Sequence, residues 1–341
     1  MSAPFARLQL RQRVELAAYP IAAAWSPDAA ALVIGTGEGQ LHLLARDDKV
    51  SSTELLGEHA GGVLALSWQA AGMRFASSGQ DGSVRLWDAR TRAATQIHRG
   101  PLWVEHLAFS GNGRWLAAAA GRDVLLFDSA GALQHTVTGQ PGNITALAWR
   151  PKAQQLATVS NGGLRLHQMD KTLGLEAYDW AGACLTASWS PDARTLASGM
   201  QDGSLHFWRL AAQEQSQMRG YGAKVAHTGW SANSRYLASA ASQQLVVWDF
   251  SGRGPEGSTP LQFDGHSARI TSLAYRPAGA QLVTGGRDWR LMLWRPGAHT
   301  DPEDAHLLGG EVVLLAWSRD GRWLAAGDSD GTLSIFEFTN G

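Results

Sequence analysis

Two sets of residues have the types that hydrolytic chemistry uses. His59, Ser77 and Asp81 form one, and His266, Thr284 and Asp288 the other. An aspartate that orients an imidazole beside a hydroxyl is the relay that makes a nucleophile of serine or threonine. In both sets a tryptophan, Trp87 or Trp294, stands six residues beyond the aspartate. Gly327-Asp328-Ser329-Asp330-Gly331 matches G-x-S-x-G, whose serine must sit at a strand-to-helix turn. Gly35-Thr36-Gly37-Glu38-Gly39 has the glycine density of a phosphate cradle but no Gly-Lys-Ser/Thr. Finally, His299, Asp301, Glu303, Asp304 and His306 fall within eight positions, and imidazole with carboxylates suits zinc or a similar divalent ion. That stretch has no fixed spacing on a rigid element, and a solvated acidic loop uses the same residues. The expectation is therefore no metal, with His299, Asp301 and His306 the candidate ligands.

The elements that carry these residues repeat. Trp25, Trp68, Phe109, Trp149, Trp189, Trp230, Tyr275 and Trp317 each end an alternating run and stand 40–45 residues apart. After each comes a polar turn, a second alternating run, a turn such as Asp81-Gly82 or Asp202-Gly203, and a third run ending in Trp, Phe, Leu or His. Period-two alternation over five or six residues, broken by such turns, predicts short antiparallel strands. A fainter run such as Thr95–His98 or Leu261–Phe263 adds a fourth. No helix period follows Ser329 or Gly39, so both glycine motifs read as hairpin turns.

A unit of this length with four strands, an intact Gly265-His266 and intact Trp87-Asp88 and Trp248-Asp249 pairs resembles the WD40 repeat family. The resemblance spans essentially the whole chain and implies an all-β, eight-bladed propeller forming one domain over residues 1–341. Its units start near residues 20, 63, 104, 144, 184, 225, 270 and 312. The eighth unit stops after its third strand, and residues 6–16 alternate as a strand that completes it, closing the ring. The resemblance also turns the two hydrolase-like sets into buried tetrads, His59–Ser77–Asp81–Trp87 and His266–Thr284–Asp288–Trp294, in which each polar group partners another. Two connections lengthen, residues 251–260 and 295–306, both expected between third and outer strands on the bottom rim.

Composition narrows the function classes. With 29 Lys+Arg against 30 Asp+Glu there is no general basic field to hold nucleic acid or an anionic membrane. The single Cys184 excludes an internal disulfide, and the first residues read as neither a secretory signal nor a membrane span. The expectation is a cytoplasmic, monomeric protein without cofactor. What the resemblance implies is a non-catalytic scaffold that binds a protein or peptide on its top face, near the channel mouth. The alternative is a propeller enzyme or metal-dependent protein using the central channel or the His299–His306 loop. On the top rim, repeat register places Trp103, Lys224 and Arg269 at starts of inner strands, and Arg287 and Trp289 beside the turn Asp288. Trp289 stands where other units have glycine. A large ring among cations is the composition of an interaction hot spot, here one that prefers an acidic segment.

Overall fold

The computed structural model describes residues 5–46, 52–169, 174–252 and 254–340. The fold is an all-β, eight-bladed propeller. The chain divides into two compact units: Ile21–Ala187 holds blades one to four, and Ser188–Gly341 with Met1–Pro20 holds blades five to eight. Blade two is representative: Val63–Trp68, Arg74–Gly79, Ser83–Asp88 and Ala94–Arg99 pair in chain order as an antiparallel meander. The second and third strands of every blade are almost wholly buried on both faces, while outer strands are largely exposed. The apolar content therefore lies between neighbouring blades. Leu86 and Val84 of blade two pack with Phe109 and Leu125 of blade three, and Val247 and Phe263 of blade six with Leu282 and Trp294 of blade seven.

Two local devices explain why these residues take these strands. In five blades the turn after the inner strand is closed by a serine whose hydroxyl donates to an Asp or Asn two residues on, as Ser26 Oγ to Asp28 Oδ1 at 2.6 Å and Ser318 Oγ to Asp320. The same serine oxygen accepts a backbone N–H five residues on, fixing the hairpin width. The aromatic anchors add a second link. The indole N–H of Trp68 reaches Ala24 O at 2.7 Å, that of Trp149 reaches Ala108 O at 2.9 Å, and that of Trp230 reaches Ser188 O at 3.0 Å. Each tethers one inner strand to the one before it.

Blade eight closes as its alternation predicts. Its strands Val312–Trp317, Trp323–Asp328 and Thr332–Thr339 are completed by Arg7–Glu15, which pairs antiparallel from Arg7↔Thr339 to Glu15↔Thr332 with a bulge between Leu10 and Gln12. Ala6, Leu8 and Val14 are buried, and Leu8 donates its N–H to Asp304 Oδ2 of blade seven at 2.7 Å.

Several boundaries differ from the sequence reading. In blade four the second and third strands form one 14-residue element, Gln155–Gln168, because Asn161-Gly162-Gly163 replaces the tight Asp-Gly turn and both glycines take positive φ. Blade five's inner strand, expected from residue 184, is only Ser188–Trp189, and blade six's begins at His227 rather than 225. Cys184 and Val225 are instead buried links whose N–H groups reach Ser160 O and Met200 O. Asp304 and His306, read as loop residues, lie on blade seven's outer strand Asp304–Leu307. Arg253, on the longer 251–260 connection, lies outside the described residues.

Removing residues 1–16 should expose the outer edge of Thr332–Thr339, with Ile335, Phe336 and Phe338 beneath it, and an unpaired apolar edge recruits other strands. The expected result is a lower melting temperature and aggregation by size-exclusion chromatography. A truncated protein that stays monomeric with unchanged melting would contradict the pairing.

Candidate functional site

The two hydrolase-like sets are closed, buried networks. Trp87 Nε1 donates to Ser77 Oγ at 2.8 Å, Ser77 Oγ meets His59 Nε2 at 2.8 Å, and His59 Nδ1 meets Asp81 Oδ1 at 2.9 Å. In blade seven the corresponding distances are 2.8 Å for Trp294 to Thr284, 2.7 Å for Thr284 to His266 and 3.0 Å for His266 to Asp288. Ser77 and Thr284 have no solvent exposure, so neither hydroxyl meets a substrate. Burial pushes the Asp81 carboxyl up, but hydrogen bonds from His59, Ser83 Oγ and Ser83 N outweigh it and hold the group at about 2.

These positions lie nine residues before and nine after each anchor, and the same ruler uncovers networks that sequence reading missed. In blade six Tyr221 stands at the histidine position: its hydroxyl meets Ser239 Oγ at 2.5 Å and accepts the Trp248 indole at 2.8 Å. In blade four Gln140, Thr158 and His167 join, with Thr158 Oγ1 3.1 Å from His167 Nε2. Where the cluster is not polar it is wholly apolar, as Leu308–Ala326–Phe336 in blade eight, and Leu16, Ile34 and Leu44 at the corresponding positions of blade one are each apolar and buried. Blade five departs from the rule. Trp180 takes the histidine position in sequence, Ser198 Oγ turns to Gly199 O, and the buried Trp208 Nε1 has no hydrogen-bond partner among the described residues.

The candidate metal ligands do not converge. Among the described residues no three His, Cys, Asp or Glu side chains come together as a metal site. His299 Nδ1 donates to the Asp301 carbonyl at 2.7 Å, and His306 Nε2 lies 3.1 Å from Asp304 Oδ2. That same Oδ2 accepts the Leu8 N–H, and Phe5 meets the His299 ring edge-on at 5.3 Å. The segment thus seats the N-terminal strand.

On the rim that carries the turns between second and third strands, Arg287 N donates to Arg269 O at 2.9 Å, which sets these residues side by side. Arg287 Nε lies 3.3 Å from Glu311 Oε2, so one of the four cationic or aromatic candidates there is charge-matched within the rim. Lys224 is exposed and Arg269 half-buried, and among the described residues neither has an ion-pair partner. Both flank His227, which burial first and these two charges second push down to about 4. Trp289 is 48% exposed and has φ +64°. Gly39, Gly82, Gly203 and Gly331 occupy its place elsewhere, with φ of +69° to +97°. Next to it the N–H of Leu308 reaches Trp289 O, and Leu307 is 68% exposed. Trp103, on the corresponding rim of blade three, is exposed together with Leu102.

Two outcomes follow for the buried groups. His266→Ala leaves Thr284 and Asp288 short of a partner, at about 1–3 kcal/mol per unsatisfied buried group, read by urea unfolding. A variant that unfolds like the parent would contradict the structural role. Burial pushes His167 and His206 down to about 4, below the value of 6.5 for an unfolded chain. Their contribution is therefore whole above pH 6.5 and is lost as pH falls from 6.5 through 4, where the unfolded chain takes up protons that the folded one refuses. Unfolding free energy should fall across that window, and fall less in His206→Gln; an equal slope in parent and variant would contradict it.

Comparison with known proteins agrees with this architecture. The WD domain, G-beta repeat (WD40) family pattern matches residues 50–88, 131–168, 178–209, 257–295 and 304–337, more than half of the chain. The chain is 26% identical over 282 residues to the B-type cell cycle switch protein ccs52B of Medicago truncatula, covering 77% of this chain and 55% of that protein. It is 24% identical over 285 residues to the anaphase-promoting complex subunit cdh1 of Dictyostelium discoideum, covering 68% and 36%. It spans about half the length of the first curated relatives it matches. Among solved structures, the computationally designed Ika8 protein superposes with a TM-score of 0.78 at 20% identity, over 96% of this chain and 99% of that one, a likeness of fold. Repeating four-stranded units, two complete tetrads and a family pattern over most of the blades lead to one conclusion: the chain belongs to the WD40 repeat family.

Proposed function

We propose that this protein is a non-catalytic scaffold that binds a protein partner through the turn-bearing rim of blades six and seven, with Trp289 as the anchor. The observation that carries the reading is the conformation of Trp289. A left-handed backbone costs a non-glycine residue roughly 1–2 kcal/mol, and blades one, two, five and eight avoid that cost with glycine at the same turn position. The ring is not repaid by burial, since almost half of it faces solvent. Strained, exposed aromatic residues are characteristic of working surfaces rather than of cores.

Lys224 and Arg269 give this rim a preference for a carboxylate-bearing segment, because among the described residues neither charge is matched. Arg287 contributes to a partner only by exchanging Glu311 for the partner's carboxylate. Trp103 has the same contact role on blade three. One relative carries the name of a complex subunit, which fits a scaffold class. In this reading the protein works as a single, monomeric propeller domain in the cytoplasm, without cofactor, nucleic acid or membrane. Among the described residues no helix is long and apolar enough to cross a membrane.

The test separates binding from folding. After affinity capture from native cells identifies the bound chain, Trp289→Ala should weaken its binding by 2 kcal/mol or more, roughly thirtyfold, as hot-spot truncations do. Trp289→Gly should weaken it equally yet raise the melting temperature by about 1–2 °C, since the strain is relieved. A Trp289→Gly variant that binds normally, or one that melts well below the parent, would overturn the assignment.

A further inference from the structure

The opposite rim of blades five and six holds a cavity of about 310 Å³. Its floor is Trp230 and Phe250, packed edge-to-face with centroids 4.6 Å apart, and Ala211 and Ala212 form one side. Gly252 and Gly254, on a connection longer than the repeat requires, line the other side. That connection is pinned across 47 residues by a bidentate pair, Arg209 to Glu256 at 2.7 and 2.8 Å. Gly254, with φ +96°, lies so close that a Cβ there would strike the Arg209 guanidinium, so the latch and the glycine go together. Because the Trp230 indole N–H is already spent on Ser188 O, the floor offers only ring faces and edges.

The charges at the mouth are unequally held. Arg209 is matched by Glu256 and, at 3.5 Å, by Glu214, and Asp192 Oδ1 is occupied by Ser190 Oγ and the Arg194 N–H. The Arg194 side chain is 84% exposed and touches Asp192 Oδ2 only through Nε at 3.9 Å, the outer limit of an ion pair. Among the described residues its terminal nitrogens have no ion-pair partner, and the side chain lines the cavity. The volume sits at the lower bound of ligand sites, roughly 300 Å³, which suits one side chain rather than a cofactor. We propose that this cavity takes a single aromatic side chain of a partner peptide, whose adjacent carboxylate is held by Arg194. This site is separate from the Trp289 rim and does not depend on it.

The probes are N-acetyl-L-tryptophan, which carries the carboxylate, and N-acetyl-L-tryptophanamide, which lacks it. Protein labelled with ¹³C in alanine methyl groups reports through Ala211 and Ala212. Both methyl signals should move saturably with the carboxylate probe, at least fivefold more tightly than with the amide, and Arg194→Gln should erase that difference. Ala212→Trp, which fills the cavity, should abolish binding of both probes, while Trp289→Gly should leave it unchanged. Should Ala212→Trp fail to fold, Ala211→Phe serves the same purpose. No saturable movement up to the probes' solubility, equal affinity for acid and amide in the parent, or undiminished binding in the filled variant would each overturn the proposal.

Discussion

The interior of every blade described above except blade five obeys one constraint: three positions, drawn from the connection before the inner strand, the second strand and the third strand, are all polar or all apolar. A buried indole, hydroxyl or imidazole without a partner forfeits its hydration, at about 1–3 kcal/mol, whereas a fully connected set loses nothing by being buried. That is why Trp87 and Trp294 occur with a hydroxyl and a histidine, Trp248 with Ser239 and Tyr221, and Phe336 with Ala326 and Leu308. Residue types change from blade to blade; outside blade five, satisfaction does not. Blade five, with its unpartnered Trp208 indole and two-residue inner strand, shows a regular ladder and a satisfied interior failing together.

This constraint also decides what the catalytic-looking residues do. Geometry alone would pass His59, Ser77 and Asp81 as a relay, since their distances are those of a hydrolase. Burial and the extra indole donor are what assign them to architecture, because the hydroxyl oxygen already accepts from Trp87 and nothing from solvent reaches it. Polar residues available for recognition must then be found outside the networks, and the rim of blades six and seven has them.

Much of this was legible in the sequence because strand period and anchor spacing are local properties. The eight anchors and the closing strand follow from counting, and the two His-containing tetrads from the family resemblance. What escaped was chemistry that changes residue type while keeping position: Tyr221 and Gln140 in the histidine place signal nothing unless measured nine residues from Trp230 and Trp149. Pair geometry escaped as well. Glu311 and Arg287 lie 24 residues apart, and only folding shows that one of the rim's cations is already matched. Asp304 and His306 look like metal ligands in sequence because their neighbours are acidic, yet Asp304 accepts from Leu8 of the N-terminal strand and the His306 ring packs on Phe336.

The all-or-none account is tested most directly in blade six, where the polar set can be converted to the apolar set of blade eight. The measurement is unfolding free energy for Tyr221→Phe alone and for Tyr221→Leu, Ser239→Ala and Trp248→Phe together. The account predicts that the single change, which takes the acceptor from the Trp248 indole and leaves Ser239 Oγ with Val246 O alone, costs more than the triple change, so that the substitutions are strongly non-additive. A triple variant destabilised by the sum of its single changes would contradict it.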